Sequence, residues 1–163
     1  TRVNYFAIFV ADRSNAVRSC FYRTVGDLLT RLPDKIDHEG RLFPYLISGL
    51  FDPSTDVQQT TFEIIEELGA NFEEENEEKL REYKQFGVQP EWKLGCDVRD
   101  KDVTYPFPIL HRPRIGARWI VRQYVRRFIA ALYKEISDWI VENRARASNL
   151  MLMAIIYAEE FIV

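Results

Sequence analysis

Histidine and cysteine are scarce in this sequence, since each occurs only twice among 163 residues. His38 lies in a charged connector and His111 in a proline-rich stretch, and neither has a Cys, Ser or carboxylate at a spacing typical of a catalytic or metal site. The sequence also lacks a glycine-rich phosphate loop and the HExxH and GxSxG motifs. It therefore predicts no catalytic residue, no metal site and no cofactor.

The two cysteines differ in their surroundings. Cys20 lies on the apolar side of a predicted helix, where a free cysteine is usually buried, so we expect it in the core. Cys96 lies in a polar loop and is expected to be exposed. Neither has a Cys or His nearby at metal-ligand spacing, which favours a reduced intracellular protein over a disulfide scaffold.

Long apolar runs are missing as well. The longest near the end, at residues 150–158, is shorter than the roughly twenty residues that a membrane-spanning helix needs. The first residues lack the basic region and cleavage site of a signal peptide. We expect a soluble chain, and the formal net charge of −3 is too small to imply a partner. Both ends are apolar at helical spacing, which is typical of a fragment from a longer repeat array, because such arrays need polar caps.

One stretch sets the pattern for the rest. Residues 41–51 and 57–69 predict two helices joined by a polar turn that contains Asp52. Asp56 is expected to cap the start of the second helix, and Gly69 to end it. This helix–turn–helix unit of about forty residues is typical of an α-helical repeat.

The unit recurs along the chain. A turn aspartate is followed five residues later by an apolar residue, as Asp12/Val17 and Asp52/Val57. Arg18 and Gln58 occupy the next position. A third match aligns Ala145 with Val17 and places Arg146 where Arg18 stands, which requires a two-residue insertion after Asp138.

These units predict an all-α fold, an α-solenoid of HEAT-type antiparallel helix pairs with one long loop. The predicted divisions are residues 1–32, 33–69 and 115–163 as repeats, with an acidic segment and a Pro/aromatic loop at 70–114. We expect Trp119 and Trp139 to fill the core of the last pair. The expected core faces are Val17, Cys20, Thr24 and Leu28; Val57, Thr60, Ile64 and Leu68; and Ala145, Ser148, Leu152 and Ile156.

A basic stripe is the best-defined surface feature. Arg114, Arg118, Arg122 and Arg126 recur every four residues and so lie along one ridge of a helix. Like charges at this spacing repel, which predicts that acidic groups neutralise them. These acidic groups are either internal, in residues 71–82 or at Asp97, Asp100 and Asp102, or external, on a protein, a nucleic acid or an anionic membrane. The acidic overall charge and the lack of a base-reading motif disfavour nucleic acid.

Trp92 lies in the loop between the second and third units. Tryptophan is enriched among residues that anchor protein interfaces. Trp92 and the four stripe arginines are therefore the predicted protein-binding residues.

Four stretches carry a resemblance to a known family. They are FYRTVGDLL (21–29), LFPYLISGLFDPSTDVQQTTFEIIEELG (42–69), PFPILHRPRIGARW (106–119) and DWIVENRARASNLM (138–151). With them the chain resembles the HEAT-repeat dynein axonemal assembly factor family. Gln58 in place of arginine and the insertion before Ala145 depart from the general HEAT pattern of an Asp–Arg ladder between repeats.

The resemblance implies a function. It implies a noncatalytic cytoplasmic scaffold that helps chaperones to preassemble axonemal dynein arms, with dynein chains, chaperones or other assembly factors as partners. The alternative is a resident structural or adaptor subunit of a ciliary or other large complex.

Overall fold

The computed structural model describes residues 4–85 and 104–159, and in these ranges it contains α-helices, one 3₁₀ turn and no β-strand. The α-helices are α1 (Tyr5–Val10), α2 (Asn15–Arg31), α3 (Lys35–Ser48), α4 (Thr55–Glu75), α5 (Glu77–Gln85), α6 (Ile115–Ile136) and α7 (Val141–Ala158), and the 3₁₀ turn is Gly49–Phe51. The all-α prediction is confirmed. We call α1 with α2 the first pair, α3 with α4 the second pair and α6 with α7 the third pair.

The first two pairs share one core. Helix α2 packs against both α3 and α4. Tyr22 from α2, Phe43 and Leu46 from α3 and Ile65 from α4 are each buried. Burying a large apolar side chain contributes about 1.5–3 kcal/mol, so this shared core is what holds the two pairs together.

Helix α4 differs from its prediction at both ends. It begins at Thr55 after the N-cap residue Ser54, so Asp56 lies in the first turn, where its charge still suits the positive end of the helix. Gly69 does not end the helix, which continues to Glu75. Gly69 lies instead where α6 crosses α4. A Cβ atom added to Gly116 of α6 would lie 1.9 Å from the Gly69 carbonyl oxygen. Both glycines therefore serve the close approach of two helices.

The buried face of α2 is rotated about the helix axis relative to the predicted core face. Phe21, Tyr22, Val25 and Leu29 are buried, whereas Val17, Cys20 and Thr24 are exposed and Leu28 is half-buried. The prediction of a buried Cys20 is therefore wrong. An apolar groove of about 330 Å³ lies between α1 and α2 and is lined by Phe6, Phe9, Val17, Cys20, Phe21, Thr24, Val25 and Leu28.

The third pair attaches through α6. This helix packs along α4 and also reaches α3, while α7 packs along α6 and contacts α3 and the 3₁₀ turn. The buried side of α7 consists of Ala147, Met153, Ala154, Tyr157 and Ala158. Ala145, Ser148 and Leu152, which were expected in the core, are exposed. Trp139 is 87% exposed, so its predicted core position is also wrong, whereas Trp119 is half-buried.

Candidate functional site

The three helix pairs turn through the same local structure, which we call the aspartate turn. In each, the aspartate carboxylate accepts a hydrogen bond of 2.8 Å from the backbone N–H two residues later, and the second helix starts three residues after the aspartate. Asparagine and aspartate side chains commonly stabilise turns in this way. The aspartates are Asp12, Asp52 and Asp138, and the donors are Ser14, Ser54 and Ile140.

A second bond repeats with the first. The residue six positions after each aspartate donates from its side chain to the aspartate's own carbonyl oxygen, over 2.7 Å for Arg18, 2.6 Å for Gln58 and 2.9 Å for Arg144. Arg144, and not Arg146, is thus the counterpart of Arg18. The third unit has the same spacing as the others, and the two-residue insertion inferred from its apolar residues is wrong.

Arg18 joins the first pair to the second. Its Nε and Nη2 donate to the two carboxylate oxygens of Asp52 over 2.6 and 2.8 Å, and both side chains are buried. Nη2 also donates to Asn15. The hydrogen bond to Asp52 is the main cause that raises the pKa of Arg18, against the opposing effect of burial. This bidentate arrangement is the strongest geometry available to an arginine and a carboxylate.

The bridge is not repeated between the second pair and the third. Gln58 occupies the position of Arg18, but its amide donates to the carbonyl of Asp52 in its own turn. Among the described residues, the carboxylate of Asp138 is held by Ile140 and Asn143 of its own pair. The second and third pairs are therefore joined by other contacts, to which the basic stripe contributes the hydrogen bonds from Arg114 to Glu66 and Glu73.

Glu159, the residue after α7, binds three arginines. Arg112 donates to it over 2.6 and 2.9 Å, Arg118 over 2.9 Å and Arg122 over 2.7 Å. Glu159 has a φ of 52°, which is uncommon for a residue with a side chain. Burial raises the pKa of Glu159, but the hydrogen bond from Arg112 and the charges of the arginines outweigh it, so the pKa lies below its ordinary value. The carboxylate thus ties the end of α7 to the start of α6.

The first stripe residue is also paired internally. Arg114 donates to both carboxylate oxygens of Glu73 over 3.2 Å, and the backbone N–H of Gly116 donates to the same carboxylate. Glu73 belongs to the acidic segment, residues 71–82, which was predicted as one internal source of charge neutralisation for the stripe. The N–H of Arg114 donates to Glu66. Burial nevertheless keeps the pKa of Glu66 above its ordinary value.

Only part of the stripe faces solvent. Arg118 is buried and Arg122 is half-buried, while Arg126 is exposed and pairs with no acidic group among the described residues. The neighbouring Arg127 lies over the ring of Tyr124, 5.1 Å from its centroid. Trp92 lies outside the described residues. The protein-binding role of these residues stays a prediction.

The described ranges hold no cluster of His, Cys, Asp and Glu side chains that could bind a metal ion. The Nε2 atom of His38 lies 3.2 Å from a carboxylate oxygen of Asp34, the N-cap residue of its helix. His111 contacts the adjacent carbonyl of Arg112. Within the same ranges, no helix combines the length and apolar character needed to cross a membrane.

Two exposed apolar surfaces were not anticipated. One is the groove between α1 and α2. The other, which we call the α7 face, consists of Val141, Ala145, Ser148, Leu152 and Ile155, all exposed and spaced four and three residues apart along the helix. Their spacing predicts that these residues share one side of α7, but only the packing of α7 shows that this side faces outwards.

Two family models match the chain. The first is described as dynein axonemal assembly factor 5-like, TPR repeats, and covers residues 3–83. The second is described as dynein axonemal assembly factor 5, HEAT-repeat domain, and covers residues 104–163. Both descriptions are of helical repeats, in agreement with the helix pairs.

Curated relatives match across nearly the whole chain. The chain is 27% identical to dynein axonemal assembly factor 5 of Mus musculus over 98% of its length, and 28% identical to that of Homo sapiens over 97%. It is 24% identical to that of Xenopus laevis over 98%. The chain spans 17–18% of the length of these relatives. No solved structure matches it.

Proposed function

This chain belongs to the HEAT-repeat dynein axonemal assembly factor family, and we propose that it is part of a noncatalytic scaffold for the assembly of axonemal dynein arms. The observation that carries the proposal is the match to relatives of that name over 97–98% of the chain. The relatives are much longer than this chain, so the proposal concerns its contribution to a larger protein.

The architecture supports a role in binding proteins. Stacked helix pairs offer extended surfaces that single compact domains lack. Apolar patches on such surfaces commonly mark protein contacts, and the α1–α2 groove and the α7 face are both apolar and open to solvent. We propose dynein chains, chaperones and other assembly factors as the partners, and the cytoplasm as the place of action.

Arg126 is the stripe residue best placed to meet a partner, because its side chain is exposed. Arg114, Arg118 and Arg122 already bind Glu73 and Glu159. Their substitution would disturb the fold together with any binding. We therefore propose Arg126, with Trp92 as a second contact, as the first residues to examine for partner binding.

Proximity labelling in ciliating cells tests the proposed function. The labelling enzyme is fused to the protein, and biotinylated proteins are compared between the cytoplasmic and axonemal fractions. If the protein is an assembly scaffold, we expect it to label dynein chains and chaperones in the cytoplasmic fraction and to be absent from the axonemal fraction. A fusion protein that stays in salt-washed axonemes and labels axonemal neighbours would instead support a resident structural subunit.

The matched variants are Arg126→Glu and Arg23→Glu, since both arginines are exposed on helices. We expect the Arg126 variant to lose labelling of dynein chains while the Arg23 variant keeps it. Equal labelling by the two variants would remove Arg126 from the binding surface, and the assembly role would then have to use another surface.

A further inference from the structure

A cleft of about 400 Å³ lies between the first two aspartate turns and helix α7. We call it the turn cleft, and its lining includes Asp12 and Asp52 from the turns, Tyr22 from α2, and Arg146 and Asn149 from α7. Pockets that bind ligands in proteins commonly have volumes of about 300–1,000 Å³. All three helix pairs contribute to the turn cleft, so it forms only where the pairs pack together.

The polar groups that the first two pairs bring to the turn cleft have partners within the fold. Arg18 and Asp52 bind each other through two hydrogen bonds. The hydroxyl of Tyr22 is hydrogen-bonded to Ser48, and the Asp12 carboxylate accepts from a backbone N–H of its own turn. These bonds hold the two turns in place without a ligand.

Arg146 and Asn149 of α7 differ from these groups. Both are exposed, and neither side chain makes a hydrogen bond or an ion pair with any residue in 4–85 or 104–159. They lie three residues apart and so project from the same side of the helix. Burial raises the pKa of the Tyr22 hydroxyl above its ordinary value, and the positive charge of Arg146 is one of the effects that oppose this rise. The charge of Arg146 therefore acts inside the turn cleft.

Apolar side chains complete the lining. Val10, Phe51 and Leu150 are half-buried, and Pro53 is exposed. An apolar group of a ligand that packs on them would remove more of this surface from water, which favours binding. The turn cleft thus combines an available cation and an available amide with apolar surface.

The charges in the turn cleft restrict the kind of anion that it can bind. A guanidinium pairs best with a carboxylate or a phosphate. The carboxylate of Asp12 lies in the same cleft, whereas that of Asp52 is neutralised by Arg18. A phosphate group carries up to about two negative charges, so Asp12 repels it more than it repels a singly charged carboxylate. The cleft therefore favours a carboxylate.

The amide of Asn149 indicates what the carboxylate is attached to. A side-chain amide offers both donors and an acceptor, and a peptide group offers one of each. A carboxylate that is joined to peptide groups and to a neighbouring apolar side chain matches the cation, the amide and the apolar surface together. An acidic peptide has all of these parts.

We propose that the turn cleft binds a peptide segment of another protein in which an aspartate or a glutamate is next to an apolar residue. Arg146 binds the acidic side chain, and Asn149 binds a peptide group beside it. The apolar residue packs on Phe51 and Leu150. This binding adds a site to the proposed scaffold and does not depend on which complex the scaffold helps to assemble.

Selection of peptides tests the proposal. A phage-displayed library of random nine-residue peptides is depleted on the Arg146→Glu variant and then selected on the wild-type chain. Depletion removes peptides that bind other surfaces, such as the α1–α2 groove and the α7 face. We expect the recovered peptides to share an aspartate or a glutamate beside an apolar residue. Recovery of no peptide above background, or of peptides without an acidic residue, would overturn the proposal.

Paired peptides test the role of Arg146. A recovered peptide and the same peptide with its acid replaced by the amide are labelled, and fluorescence anisotropy gives the two values of Kd. On the wild-type chain we expect the acid to bind about fivefold more tightly than the amide. On Arg146→Gln we expect the two to bind within about twofold of each other, because the charged hydrogen bonds are lost. Arg126→Gln, at an exposed position of α6, is the matched control and should keep the wild-type ratio. If Arg146→Gln also keeps that ratio, Arg146 does not bind the carboxylate and the proposal is wrong.

Asn149→Ala tests the bond to the peptide group. We expect the acid and amide peptides to lose affinity by the same factor, about threefold or more, because both peptides lose that bond. Ser148→Ala, on the neighbouring α7 face, is the control and should leave both Kd values unchanged. Circular dichroism should show wild-type helix content for all these variants, since the substituted positions are exposed. Unchanged binding by Asn149→Ala would overturn the arrangement proposed for the peptide.

Competition distinguishes a peptide from a small anion. 4-Methylpentanoate has one carboxylate and one branched apolar group, and inorganic phosphate has charge alone. We expect neither to displace the labelled peptide at concentrations up to about a hundredfold above the peptide's Kd, because neither offers a peptide group to Asn149. Displacement by either compound within this range would assign the turn cleft to a small anion and overturn the proposal.

Discussion

Arg18 and Asp52 lie 34 residues apart in the sequence and form a buried, doubly hydrogen-bonded ion pair between two helix pairs. Asp12 and Asn15 accept further bonds from the same guanidinium, and the N–H of Ser54 donates to the same carboxylate. The cost of burying the two charges is offset because almost every polar atom has a partner. The register of the first pair against the second is therefore set by charge as well as by apolar packing.

Breaking this pair should destabilise the chain strongly. Asp52→Asn and Arg18→Met each leave a buried group without its charged partner, and we expect each to lower the free energy of unfolding by about 3–5 kcal/mol. Urea denaturation followed by circular dichroism measures the change. Arg23→Met, on the exposed side of the same helix, is the control and should change stability by no more than about 0.5 kcal/mol. A loss for Arg18→Met as small as that of the control would contradict the structural role.

Gly116→Ala should separate α4 from α6. The added methyl carbon would lie 1.9 Å from the carbonyl oxygen of Gly69, a backbone atom that cannot rotate away. We expect a loss of about 1–3 kcal/mol or more from overpacking. The measurement is the midpoint of thermal unfolding.

Gly40→Ala is its control, because the added carbon meets the end of the Arg127 side chain at 2.7 Å, which can move, and the Tyr124 ring at 3.1 Å, which has to shift by only a few tenths of an ångström. Alanine also favours the helix over glycine by about 1 kcal/mol. Gly40→Ala should therefore be neutral or stabilising. If both variants lose the same stability, the crossing at Gly69 and Gly116 is not as close as described.

The stripe arginines should separate into structural and surface residues. Arg118→Gln loses its charged bond to Glu159 and alters the bond to the carbonyl of Pro113, and we expect it to cost about 1.5–3 kcal/mol. Arg126→Gln should cost no more than about 0.5 kcal/mol, because Arg126 is exposed. Chemical denaturation of the two variants in parallel makes the comparison. Equal effects would mean that Glu159 does not hold α6 through Arg118.

Acid should weaken the attachment of α7. The folded pKa of Glu159 lies below its ordinary value of 4.5, so the stability it contributes is fully present above pH 4.5 and is lost as the pH falls through the folded pKa. The difference in melting temperature between the wild type and Glu159→Gln should be constant from about pH 7 to about pH 5 and should shrink below that. A difference that persists undiminished to about pH 3 would contradict the assignment.

The sequence predicted the helix pairs, but the alignment of the third unit with the first two was wrong by two residues. The apolar residues of α7 repeat at helical spacing on two sides, so aligning them with Val17 and Val57 gave an apparent insertion. The polar turn is the better guide, because Asp138 and Arg144 keep the six-residue spacing of Asp12 and Arg18. That spacing is visible in the sequence, and an alignment based on it would have placed Arg144 opposite Arg18.

Other features depend on distant residues. Gly69 is a residue type that often ends a helix, and only the close approach of α6 explains why a glycine lies inside α4. The basic stripe predicted acidic partners for its arginines, but Glu159 is 37 residues beyond Arg122 and was not an obvious candidate. Trp139 is a large aromatic residue of the kind expected in a core, and its exposure follows from the direction in which α7 packs. Local pattern cannot decide these points, because each is settled by tertiary packing.

Gln58 makes the junction after the second pair permissive. Its amide donates to the Asp52 carbonyl of its own turn, and because it is uncharged it needs no carboxylate partner from the following helices. The third pair therefore does not have to bring Asp138 to one fixed place. A stretch of about forty residues can separate α4 from α6 without leaving a buried arginine unpaired, since none is present there. A single uncharged side chain thus marks the junction at which this array accommodates an insertion between two packed helix pairs.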